Sequence, residues 1–107
     1  MADRRGVILV LFDLPVKTDE SRRLYGRFRK WLRLNGYVMY QKSAYVKLLR
    51  NMESAVNEIG KLRTATPEEG QVNAAAMTLA EFKQIQTVKG QAFNISFFSD
   101  DLVFVED

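Results

Sequence analysis

Cysteine and histidine are both absent from the 107 residues. Without cysteine there is no disulfide and no thiolate metal site, and the redox compartment is left open. Without histidine there is no Ser-His-Asp or Cys-His catalysis and no His-ligated zinc. Any metal must be held by oxygen, which suits magnesium, calcium or manganese. Proline is scarce, with 2 residues, and glycine, with 6, is ordinary, so the composition is not that of a disordered chain. No apolar run approaches the length of a membrane span. The run Val7–Phe12 follows Arg4 and Arg5 in the manner of a signal peptide, but it ends in Asp13 and Pro15 with no small-residue cleavage site. A cytoplasmic protein with no membrane association is the expectation.

What the chain does have is hydrophobic mass, 47% of residues, enough for the core of one ordinary domain. Val7-Ile8-Leu9-Val10-Leu11-Phe12 does not alternate, so it reads as a central strand covered on both faces. Pro15 lacks a backbone donor and holds Leu14 extended, so the strand stops near Asp13 and leaves that carboxylate at its carboxyl end.

The net charge of +3 conceals a division. Residues 1–52 carry 12 Lys/Arg and 4 Asp/Glu, a balance of +8; residues 53–107 carry 4 and 9, a balance of −5. Between Ser21 and Met52 there are nine basic residues and no acidic one. A basic half suits a polyanion, whereas the alternative is a solvated surface with charge pairs across the fold.

A first helix is expected from Thr18 or Asp19 to the stop signal Asn35-Gly36. At about 100° per residue, Leu24, Tyr25, Phe28, Trp31 and Leu32 share one arc. Arg22, Arg23, Arg27, Arg29, Lys30 and Arg33 share the other and form a candidate nucleic-acid face. Two strands follow, Tyr37–Lys42 and Ala44–Leu49, with Ser43 at the turn. Tyr37, Tyr40 and Tyr45 either pack in the sheet or stack on a base. Asn51 caps a second helix to about Arg63, with Met52, Ala55, Val56, Ile59 and Leu62 inward. Thr66–Gly70 is a turn, Gln71–Met77 a fourth strand, and Thr78–Glu81 a capping box for a short helix with Leu79, Phe82 and Ile85 on one face. Lys89 to Asp101 reads as loop, and Leu102–Val105 as a last short strand.

The order predicts an α+β, ferredoxin-like βαββαβ domain over about residues 6–78. An extra short helix and strand over about 79–107 would be a dimerisation extension. Nothing divides the 107 residues into two domains.

With that order, four segments resemble the CRISPR-associated Cas-two family, most closely the variant found beside Cas-nine systems. They are Ile8–Pro15, the basic helix ending Arg29-Lys30-Trp31-Leu32, Asn35-Gly36-Tyr37, and Tyr40-Gln41-Lys42-Ser43-Ala44-Tyr45. The similarity is strongest over about residues 7–50. The resemblance implies a homodimer whose last strand pairs with the partner subunit. It implies a role in spacer acquisition, bridging dimers of the Cas-one integrase and holding a protospacer DNA duplex. It also implies magnesium-dependent endonuclease activity in some members, with Asp13 from both subunits as metal ligand and catalytic residue, and Ser43 and Tyr45 as site neighbours. The family often has Tyr before this Asp; here Phe12 stands there, without a hydroxyl to support the carboxylate or a water. The alternatives are a metal-dependent ribonuclease and a module reading single-stranded RNA on its sheet through Tyr40 and Tyr45.

Overall fold

Strand β1 (Gly6–Asp13) lies inside a four-stranded sheet, hydrogen-bonded on one side to β3 (Ala44–Leu49) and on the other to β4 (Gln71–Thr78). The edge strand β2 (Val38–Gln41) completes the order β2-β3-β1-β4, with every pair antiparallel. Helices α1 (Asp19–Leu34) and α2 (Met52–Ala65) connect β1 to β2 and β3 to β4, each connection stepping over one strand. This is the expected ferredoxin-like arrangement. The structure, a computed structural model, describes residues 3–98. The expected strand Leu102–Val105 lies outside the described residues.

The helix starts are fixed by local chemistry. Thr18 Oγ1 accepts from the Ser21 amide and Ser21 Oγ accepts from the Thr18 amide, both at 3.0 Å, a capping box with serine in the reciprocating place. Asn51 Oδ1 accepts from the Ser54 amide at 2.8 Å. A second box, Thr78 with Glu81, opens α3 (Leu79–Lys83), which ends before Ile85 and leaves that side chain exposed. Helix α1 ends on Asn35 and on Gly36, whose φ of 87° is the left-handed conformation that a side chain resists.

The pleat of β1 divides two cores. Ile8, Val10 and Phe12 face the helices and join Phe28, Leu32, Tyr37, Tyr45, Leu49, Ala55 and Leu62. Val7 and the half-buried Leu9 face the other way, with Val46, Leu48, Val38, Tyr40 and Met77. Over this second face fold α3 and the stretch to Phe98, which includes a 3₁₀ turn at Ile95–Phe97. The expected loop is therefore anchored by aromatic side chains: Phe93 lies 5.3 Å from Tyr40, 5.8 Å from Phe82 and 5.4 Å from Phe98, centroid to centroid. The cover is incomplete. Val7 is fully buried but Leu11 is 48% exposed, so double-sided burial holds for the first half of β1 and lapses towards Asp13.

One expectation for α2 is corrected. Val56 is exposed and Glu58 is buried. The reason is Lys47, an inward position of β3 paired in register with Ile8. Its ammonium meets Glu58 Oε1 at 2.9 Å, and the Tyr37 hydroxyl donates to the same oxygen at 3.2 Å. A buried ammonium calls for a buried carboxylate. One of the nine basic residues between Ser21 and Met52 thus belongs to the interior and not to a basic surface.

Candidate nucleic-acid interface and carboxylate site

Asp13 is the last residue of β1, paired in register with Gln71 and exposed. It lies on the uncovered end of the open sheet face, with Leu11 on the same strand and Asn73 and Ala75 across from Leu11 and Leu9. Gly70 determines how closely β4 approaches this end. Its φ is +94°, and a Cβ there would fall 2.8 Å from the Asp13 carbonyl oxygen and 2.6 Å from Leu14 Cδ2. On the other side, the Phe12 amide donates to the Ser43 carbonyl at 3.0 Å, which brings the β2–β3 turn beside Asp13. Ser43 is exposed and close along the backbone to this end of the sheet.

The remaining expected neighbours do not share that face. Tyr45 is 1% exposed and sits among the helix-side core. Phe12 also points to the helices, in edge contact with Phe28 at 5.3 Å and Tyr25 at 6.1 Å. A hydroxyl on that ring would enter the helix-side core and not reach the Asp13 carboxylate, because successive strand residues face opposite ways. Among the described residues, no three Asp or Glu side chains gather into a metal-holding group. Asp13 in one chain is a single charged oxygen ligand with an amide, Gln71, opposite, a sparse donor set for magnesium.

The cationic face of α1 is real but unequal in its parts. Phe28 and Leu32 are buried, while Arg23, Arg27, Lys30 and Arg33 are exposed on the far side. Arg22 is committed to the chain: its guanidinium donates to the carbonyls of Val16 at 3.0 Å and Lys17 at 3.3 Å and pairs with Asp19. Arg23 has a loose pairing with Glu20 at 3.6 Å. Arg29 lies at the flank, half-buried, with Nε donating to the Tyr45 hydroxyl at 3.2 Å and the guanidinium 5.6 Å from the centre of the Tyr25 ring. That hydroxyl, and secondarily the electrostatics of Tyr45, hold Arg29 still more firmly in its charged form. Nothing in the sequence pairs Arg29 with Tyr45, 16 residues apart on different elements, beyond the place of Tyr45 in the Tyr40–Tyr45 run.

A cleft of about 660 Å³ opens between the start of α1 and the end of α2, floored by Leu14, Leu24, Tyr25 and Phe28. Glu20, Glu68 and Glu69 rim it with Arg27. Asp13 is not among the residues that line it, so this cleft is not the carboxylate site. Base stacking on the sheet is not supported by the rings expected to do it. Tyr45 is enclosed on the helix side, Tyr37 is buried against Trp31 and Glu58, and Tyr40 packs under Phe82 and Phe93.

Residues 7–85 match the family described as CRISPR associated protein Cas2. A CRISPR-associated endoribonuclease Cas2 from Treponema denticola is 34% identical over 85 residues, covering 79% of this chain and 84% of that protein. Proteins of the same name are similarly related: one from Streptococcus mutans is 32% identical over 84 residues, 78% of each chain. One from Acidovorax ebreus is 35% identical over 83 residues, 78% of this chain and 81% of its own. With the ferredoxin-like sheet and the Asp13 strand end inside the matched region, the chain belongs to the CRISPR-associated Cas2 family.

Proposed function

We propose that the protein is a nucleic-acid-binding adaptor of CRISPR adaptation, which as a homodimer holds a protospacer duplex and bridges dimers of the Cas-one integrase. The observation that carries this reading is the row of exposed cations, Arg27, Lys30 and Arg33 with Arg23 beside them, on the side of α1 opposite Phe28 and Leu32. Guanidinium and ammonium groups on a rigid helix engage phosphates irrespective of sequence, as a holder of varied protospacers requires. The half-covered sheet face, with Leu11 at its exposed end, supports the dimer. The test is duplex affinity against salt. Changing Arg27, Lys30 and Arg33 together to Ala is expected to flatten the slope of log affinity against log salt by about 2.7, at roughly 0.9 per phosphate. An unchanged slope in a folded variant refutes the reading.

The name its relatives carry, endoribonuclease, favours a second activity on the same molecule. If two copies bring their Asp13 carboxylates together, the donor set becomes suitable for a hard cation such as magnesium. When bound, that ion supplies an activated water for phosphodiester hydrolysis. This chain contributes the ligand charge of Asp13 and a strand end held in place by Gly70 and the Ser43 carbonyl.

A further inference from the structure

Arg29 differs from every other cation on α1 in being oriented by aromatic side chains before any ligand arrives. Arg22 is engaged by loop carbonyls and Asp19, and Arg23 by Glu20. Arg27, Lys30 and Arg33 project from the exposed side, and their many torsions must be fixed when they bind. Arg29 is half-buried, with its Nε on the Tyr45 hydroxyl at 3.2 Å and its guanidinium carbon 5.6 Å from the centroid of the Tyr25 ring. Tyr45 is itself held in the core, 5.8 Å from Phe12. A guanidinium has five N–H donors; with Nε engaged, the four on its terminal nitrogens remain, in the end-on fork that fits two oxygens of one phosphate. Those terminal groups donate to no other described residue.

We infer that Arg29 is a pre-oriented bidentate contact for one backbone phosphate, and that Tyr45 and Tyr25 are its positioning residues. The inference rests on the adaptor reading above and adds, at the flank of that face, one phosphate contact that is built in advance. Tyr45 does not touch the nucleic acid. Its hydroxyl acts through the guanidinium, so its removal leaves the charge in place and loosens its direction.

The experiment measures affinity for a random-sequence DNA duplex across a salt series, with folding checked by Trp31 fluorescence. Arg29→Ala is expected to lower the slope by about 0.9, the loss of one phosphate contact. Tyr45→Phe is expected to leave the slope unchanged and to weaken binding roughly 2–10-fold, the range for ordering one long side chain. Arg29→Lys, with the charge but no fork, should behave like Tyr45→Phe. In the Arg29→Ala background, Tyr45→Phe should have no further effect. A purely structural Tyr45 would weaken binding by the same factor in both backgrounds, and that result overturns the inference. So does an Arg29→Ala protein with unchanged slope. If the Arg27/Lys30/Arg33 variant loses slope while Arg29→Ala does not, only the present inference falls. If the wild type shows no salt-dependent duplex binding, it falls together with the adaptor reading.

Discussion

Removing the carboxylate of Glu58 should cost more stability than any surface charge change in the protein. Lys47 and Glu58 side chains are 3% and 2% exposed, and their charged atoms stand 2.9 Å apart between β3 and α2. Glu58→Ala leaves the Lys47 ammonium buried without that carboxylate, with the Tyr37 ring 5.5 Å away as weaker compensation. Breaking a buried pair from one side costs about 3–5 kcal/mol, a large part of the roughly 5–15 kcal/mol that holds a domain folded. Over a urea slope of about 1.5 kcal/mol per molar, a loss of about 4 kcal/mol moves the midpoint down by about 2.7 M. The single tryptophan, Trp31, has its ring 6.2 Å from Tyr37 and reports the transition by fluorescence. Lys61 supplies the control: it lies 3.6 Å from the other Glu58 oxygen but is 63% exposed. Lys61→Ala should therefore cost about 1 kcal/mol or less. The pair replaced together, Lys47→Met with Glu58→Leu, should recover most of the loss, because both buried charges are then removed at once. A Glu58→Ala midpoint within about 0.5 M of wild type, on the same slope scale, would refute this reasoning. A double variant as unstable as the single would refute it equally.

Two further outcomes concern the open face. Leu11→Glu places a charge where the sheet is uncovered, so a dimer formed through this face should dissociate to monomers in sedimentation while the circular dichroism spectrum is retained. Asp13→Asn keeps size and hydrogen-bonding capacity but removes the charge a hard cation needs. We expect it to lose any magnesium-dependent cleavage of RNA or DNA while spacer acquisition with wild-type partners persists in cells. Loss of acquisition with an intact dimer would make Asp13 chemistry essential.

The elements were legible in the sequence because their ends are written in single residues. Thr18, Asn51 and Thr78 each place an oxygen where free helix amides need one, and Gly36 and Gly70 each occupy a left-handed turn position. Periodicity gave the inward arc of α1 correctly, since Phe28 and Leu32 lie at its centre. It misplaced α2, because a helical period fixes which residues share a face and not which partner lies opposite. Glu58 is inward because Lys47 is, and the two are 11 residues apart on different elements. The basic face was legible as a whole but not in its parts. Composition counts Arg22 and Arg29 as equal to Arg33, whereas tertiary contacts engage the first with carbonyls and the second with a tyrosine. Asp13 was locatable from the strand end alone, but the opposite facing of Phe12 and Asp13 follows only when alternation is applied across the Phe-Asp step.

That alternation also explains how one short strand serves two surfaces. Phe12 turns inward to Tyr45, and the Tyr45 hydroxyl accepts from Arg29 Nε on the helical side. Asp13, the next residue, faces the side that α3 and Phe93 leave uncovered. The carboxylate and the cations are therefore kept on opposite faces of the sheet, where they do not neutralise one another. A phosphate held by the helix is not repelled at contact range by Asp13, since the thickness of the core intervenes. In a single chain the exposed cations of α1 and the Asp13 carboxylate do not converge on one point. Hydrolysis by Asp13 requires a substrate on the open face, and a scaffold holding duplex on α1 does not require Asp13. For that geometric reason mutation is expected to separate the proposed scaffold role from the proposed hydrolysis.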